Sequence, residues 1–484
     1  MLDLTNYNLS KNQESVFNYF QEISAIPRGS GNMQKIADYC VDFAQKFGFR
    51  YIRDEFNNIV IFKNGTKGYE NAEPVILQGH LDIVCQKEEN CQIDFLTDGL
   101  DIFIDGDFIK ANGTTLGGDN GIAIAYILSI LASSDISHPP IEAVFTTDEE
   151  IGLIGATGLN KSVLKSKKMI NIDSEEDDVL TVSCAGGGDV ILKLPLNYQS
   201  RTGNKVTINI GGLLGGHSGV EIHKGRTNAN MLLGKLLEFL NKTCDFSLIS
   251  AIGGTKANAI PNSATATICC DNAENLLFEI DNFNTLYLNE IKKNEPEVFI
   301  KAVKDEIGNY NCLDEESKNK VITLLTKTPD GVVKMSDEIE GLVETSLNLG
   351  VLTTEQDILT AVFALRSNKE ASLKELSEQI LTIGEKLNAE KETEGFYPPW
   401  EYNPVSPLRE LYKKCYFEQN SKEITVAAIH AGLECAVFSA NMQDLDCISV
   451  GPNLFDVHTV NEKLSISSTI STFNLLLKVL AKCN

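Results

Sequence analysis

Apolar residues recur at helical spacing through SVFNYFQEISAI, and Pro27 stops the run. MQKIADYCVDFAQKFGF repeats the pattern and ends at Gly48. After Gly48 the texture changes. NNIVIFKN and EPVILQG are short, β-branched runs of strand type. Residues 119–134, DNGIAIAYILSILASS, open with polar and glycine residues and continue as a buried helix. IEAVFTT and KMINID are two further strands. Strands alternating with helices predict an α/β layer with a mostly parallel, helix-flanked sheet.

CAGGGD, near residue 188, punctuates the pattern. Over residues 189–397, strands such as NKVTINI, ATATICC and DILTAVFALR alternate with amphipathic helices such as ANMLLGKLLEFLNK and SLKELSEQILTIGEKL. That stretch predicts α+β architecture. Pro398, Pro399, Pro404 and Pro407 close it, and residues 398–484 return to helix, strand and helix. The simplest organisation is one α/β domain, residues 1–188 and 398–484, interrupted by an inserted domain at 189–397.

Composition narrows the function classes. The 484 residues carry 42 basic and 67 acidic side chains, a net charge of −25. Nucleic acid and anionic membrane both select clustered positive charge, so neither is expected as a partner. The 12 cysteines are scattered without a C-x-x-C pair and are expected to be reduced. The N-terminus lacks the basic and apolar regions of a signal peptide, and no apolar run reaches membrane-spanning length. A cytoplasmic location follows as the expectation.

Several apolar runs end in residues that can bind metal. VILQG leads into His80 and Asp82, EAVFTTD into Glu149 and Glu150, MINI into Asp173, and DCISVGPNLFDV into His458. Asp119 lies in the Gly-rich turn LGGDNG. Sites in open α/β sheets collect at the carboxyl ends of strands. Histidine nitrogen and carboxylate oxygen suit zinc, cobalt or manganese. Three carboxylates and a hydroxide would balance two divalent ions, and one further acid could transfer protons. These patterns do not decide between Glu149 and Glu150 as that acid. Asp82, two residues past His80 on an extended segment, points the same way and could brace the imidazole.

The motifs GHLDIV, LGGDNGIAIA, TTDEEIGLIGA, NIDSEE and VHTVNE resemble, in order and spacing, the dinuclear-zinc exopeptidases related to aminoacylases, glutamate carboxypeptidases and bacterial dipeptidases. FQEISAIPRGSGN, NAIPNSA and HAGLE are similar to one branch, the cytosolic aminoacyl-histidine dipeptidases. The resemblance implies that His80, Asp119 and Asp173 hold one metal and that Asp119, Glu150 and His458 hold the other. It makes Asp119 the bridge, Glu149 the general base and Asp82 the residue that orients His80. It also implies a cis peptide after Asp119 and a lid or dimerisation role for the insert, hence a homodimer.

Within the insert, LLGGHSGVEIHKGRTNAN is similar to the lid signature, which gives His217 an oxyanion-stabilising role. By the same resemblance Asn258 binds substrate. Arg366 is a candidate for the terminal carboxylate, which a guanidinium grips with two hydrogen bonds. Gly432 would let the backbone approach substrate, and Glu434 could meet a free amino terminus. The implied activity is metal-dependent hydrolysis of dipeptides, preferably Xaa-His, by a metal-bridged hydroxide. A broader dipeptidase, a tripeptidase or an N-acyl amino acid deacylase on the same scaffold stays open, as does a non-catalytic peptide-binding protein. Neither Gly-rich segment forms G-x-G-x-x-G, which removes a dinucleotide-binding reading.

Overall fold

The structure, a computed structural model, describes residues 2–483. The chain divides into two compact units. The first runs to Cys184, resumes over Tyr402–Ala428 and continues from Leu433; the second is Ala185–Glu401 with Ile429–Gly432. The chain passes from one to the other near the CAGGGD and proline punctuation, and residues 429–432 again belong to the second unit.

The first unit is built on an eight-stranded sheet. Ile141–Thr146, Val75–His80, Lys168–Asn171 and Asp446–Ser449 lie side by side and parallel at its centre. Burial on both faces explains their near-continuous apolar sequences. Towards one edge, Ile59–Lys63 and Arg50–Arg53 run antiparallel to their neighbours, and Val179–Cys184 is antiparallel to Asp446–Ser449. The sheet is therefore mixed, parallel only at its centre. The five residues between Arg53 and Ile59 are too few for a parallel crossover and leave room only for a hairpin.

Helices cover this sheet as the apolar spacing predicts. Lys11–Ser24 opens with a capping box between Ser10 and Gln13. Gln34–Phe47 closes on Gly48, which takes the left-handed conformation at φ 69°. Gly118–Ala132 is buried along nearly its whole length, and its Tyr126 stacks on Phe473 and donates to the Thr469 carbonyl. The peptide between Asp119 and Asn120 is cis. A separate four-stranded sheet includes the hairpin Leu454–Phe455 and Lys463–Ser465, whose loop carries His458.

The second unit has its own core around a nine-stranded sheet whose strands pair antiparallel. Ala229–Thr243, Ala273–Phe283, Glu315–Lys327 and Glu370–Lys386 are its longer helices. A short ribbon pairs Gly216–His217 with Ala259–Ile260. The α+β texture of the insert thus corresponds to long antiparallel strands backed by amphipathic helices.

Candidate metal centre and active site

The parallel register brings chemistry to one edge of the first unit. His80 is level with Thr146, and Gln78 is level with Asn171. The three strands therefore end together, and the residues that follow them, Glu149, Glu150 and Asp173, emerge beside His80. Asp119 arrives from the start of the central helix and His458 from the hairpin loop.

Two ligand groups result. His80 Nε2 stands 3.1 Å from Asp119 Oδ1 and 3.4 Å from Asp173 Oδ1. His458 Nε2 stands 3.2 Å from Asp119 Oδ2 and 2.9 Å from Glu150 Oε1. Two ligands bound at about 2.0–2.1 Å to one tetrahedral ion lie about 3.3 Å apart, so the spacing fits a cation in each group. Asp119 turns one oxygen to each group, the geometry of a bridging carboxylate. Ligand atoms of His80, Glu149 and Glu150 also lie within 4.8 Å of one another, which puts the Glu149 carboxylate at the edge of the same centre.

The electrostatics describe a site crowded with acids. Burial works to lower the His80 pKa, but Asp173, Asp119 and Asp82 hold it well above the ordinary imidazole value. Hydrogen-bond contact with Asp119 and Glu150 raises His458 to about 11. Burial pushes Asp173 up to about 6. Burial also raises Glu149 well above the usual carboxyl range; His80 opposes the rise, while Asp173, Glu434 and Glu150 add to it. Divalent cations would relieve this crowding, and nitrogen with carboxylate oxygen is a donor set that holds them.

Asp82, fully buried, does more than brace His80. Its Oδ1 lies 3.4 Å from His80 Nδ1 and accepts from the Glu149 N–H at 3.0 Å. Its Oδ2 accepts from the Glu150 N–H at 3.2 Å and from Ser30 Oγ at 2.8 Å. One carboxylate thus orients a histidine and fixes the turn that presents both glutamates. Sequence reasoning passed over Asn120. Its amide donates to the Ile172 carbonyl and to Asp173 Oδ1, while its Oδ1 accepts from the His80 N–H. The signal was its place beside Asp119 at a buried helix start. Glu434 is completely buried; its Oε2 accepts from Thr146 and Gln78, and burial raises it to about 7. Its Oε1 has no hydrogen-bond partner among the described residues.

The remaining candidates gather within the second unit. His217 Nδ1 accepts from the N–H groups of Gly219 and Val220 at 3.0 and 3.2 Å, so the ring proton resides on Nε2. A Cβ on Gly219 would meet the His430 carbonyl at 2.7 Å, Arg366 Nε at 3.0 Å and His217 Cε1 at 3.0 Å. Only glycine admits this three-way approach. Arg366 donates to the Tyr397 hydroxyl at 3.1 Å, and Gly432 lies against the Tyr397 ring. The Asn258 carbonyl accepts from the Ser218 N–H at 2.9 Å, next to His217. His430, buried and close to Arg366, is pushed down to about 3 and stays neutral.

Peptidase family M20/M25/M40 matches residues 76–482. The chain is 36% identical over 472 residues to the cytosol non-specific dipeptidase of Escherichia coli K12, covering 96% of this chain and 97% of that protein. Its fold is similar to the crystal structure of aminoacylhistidine dipeptidase from Vibrio alginolyticus, with TM-score 0.90, 34% identity and coverage of 98% and 97%. Aminopeptidase PepT from Bacillus cereus shares the fold at 14% identity and TM-score 0.56, covering 97% and 98%. The chain belongs to peptidase family M20/M25/M40.

Proposed function

We propose that the chain hydrolyses dipeptides, Xaa-His substrates in preference, at a centre built for two divalent cations. The observation that carries this reading is Asp119, which faces His80 with one oxygen and His458 with the other. His80, Asp119 and Asp173 would hold one ion, and Asp119, Glu150 and His458 the other. Zinc suits this donor set, with cobalt or manganese as substitutes. When bound, such ions lower the pKa of water and polarise a carbonyl oxygen.

The chain's own groups do the rest. Glu149 takes the proton from the attacking water on a carboxylate oxygen and passes it to the leaving amine nitrogen. Asp82 keeps the Glu149 turn and the His80 ring in register. The Nε2–H of His217 is the donor assigned to the oxyanion, a role that preorganised N–H groups perform well. Arg366 is assigned to the peptide's terminal carboxylate, Asn258 and Gly432 to its backbone, and Glu434 to its amino group. The second unit is assigned the role of lid and dimerisation domain, in a cytoplasmic homodimer. Among the described residues, no helix is long and apolar enough to cross a membrane.

The Vibrio relative is an aminoacylhistidine dipeptidase, which supports the Xaa-His preference, while the Escherichia coli relative is a non-specific dipeptidase, which favours a broader enzyme. A panel of Xaa-His dipeptides including β-alanyl-histidine, other dipeptides, tripeptides and N-acyl amino acids separates the two. The proposal expects the highest kcat/KM on Xaa-His dipeptides. Equal turnover across dipeptides would favour the broader enzyme. Cleavage confined to tripeptides or acyl amino acids would overturn both.

A further inference from the structure

Glu462 and Arg28 belong to none of the ligand or substrate roles above, yet both are buried charges, 3% and 1% exposed. Burying a charge is costly unless hydrogen bonds and opposite charges answer it; both residues have such hydrogen bonds, although Arg28 Nε has none among the described residues. Glu462 Oε2 accepts from the N–H groups of Leu116 and Gly117 at 2.7 and 2.9 Å. Its Oε1 accepts from Gly118 and Asp119 at 2.8 and 3.3 Å. Four consecutive amides converge on one carboxylate. These amides belong to the Gly-rich turn that leads into the central helix, where no side-chain cap is present and Asp119 and Asn120 depart from helical backbone, so Glu462 supplies from a distant loop the acceptor that the turn requires.

Arg28 grips the same turn from the other side. Its Nη2 donates to the Gly117 carbonyl at 2.6 Å, and its Nη1 donates to the carbonyl of Leu81 at 2.9 Å. Gly117 is left-handed at φ 64°, and a Cβ there would meet Arg28 Nη2 at 2.9 Å and Ile83 at 2.7 Å. Burial lowers Arg28 to about 10, which still leaves it charged at neutral pH, with Glu462, Asp82 and Asp119 as its counter-charges.

These contacts join the segments that carry the shared carboxylate and both histidines. Glu462 is four residues past His458 and bonds the backbone of Asp119. Arg28 joins the turn before Asp119 to the residue after His80. We propose that Glu462 and Arg28 are positioning residues: a buried clamp of opposite charges on the backbone of one turn that sets where Asp119 stands between His80 and His458, and so sets the affinity of the centre for its second cation. This rests on the two-cation reading above.

The test uses metal-free full-length protein titrated with Co²⁺, read by calorimetry and by the visible spectrum of the bound ion. Wild type is expected to bind two equivalents. Glu462→Gln removes the charge and turns an amide N–H towards the amides it must accept from. Partners of this kind typically change metal affinity about 10–100-fold. The expected result for E462Q is that weakening for the second equivalent, with an altered cobalt spectrum, and at saturating metal a lower kcat with little change in KM. Arg28→Lys keeps the charge but loses the two-pronged grip, and is expected to weaken the same step. It also covers the case in which E462Q does not fold. Folded E462Q or R28K with the wild-type isotherm and spectrum would overturn the clamp and leave the two-cation reading intact. A wild type that binds no Co²⁺ would overturn both.

Discussion

Glu149 stands at the edge of the ligand groups, with its backbone N–H held by Asp82 and its carboxyl kept protonatable by burial among other acids. Glu149→Gln keeps the shape and removes the ability to accept a proton. The expected result is a fall in kcat of about 10²–10⁴-fold with unchanged metal content. Near-wild-type turnover with full metal would assign the base elsewhere. At this scale the histidines and acids that the structure brings together were legible in the sequence because each follows an apolar run or a glycine turn. The residues that satisfy backbone were not. Asn120, Arg28 and Glu462 act on N–H and carbonyl groups brought together only by folding, and nothing in the local spacing around Glu462 points to amides more than 340 positions earlier.

Among the elements, the strand Val75–His80 and the helix Gly118–Ala132 carry two of the ligands on a shared contact. Gly79 is where they meet: a Cβ there would run into Asn120 Oδ1 and come within 2.7 Å of Ala123 Cβ. Gly79→Ala is therefore expected to cost about 1–3 kcal/mol of stability by overpacking and, by displacing Asn120, to weaken metal binding as well. Unfolding and metal titrations at wild-type values would show that the helix moves aside freely. The elements themselves were readable from apolar spacing, Gly48 and Pro27 included. Strand direction was not, because a buried strand has the same composition in either sense. Chain length between strands carried that information, as the short Arg53–Ile59 connection demonstrates.

For the whole molecule, the net charge of −25 gave no guide to where acids matter. Most acids lie in solvent, while those of the centre face one another. Asp330, in the second unit, offers a measure of such burial away from the metal groups. Burial raises it to about 6, with Lys235 opposing the shift. Between its unfolded value near 4 and about 6, the folded chain holds a proton that the unfolded chain has released, so stability falls as pH rises through that window. Asp330→Asn is expected to stabilise the protein at pH 7.5 by on the order of 2 kcal/mol, with the difference gone by pH 4. A pH-independent difference between variant and wild type in chemical unfolding would refute this.

The central claim is a hydrolytic centre that shares Asp119 between two cations. The most direct test follows dipeptide turnover while Zn²⁺ is returned to chelator-stripped wild-type protein, with bound metal counted at each addition. The account predicts no turnover in the stripped protein and recovery that is complete at two ions per chain. Full turnover in protein stripped of metal would contradict it.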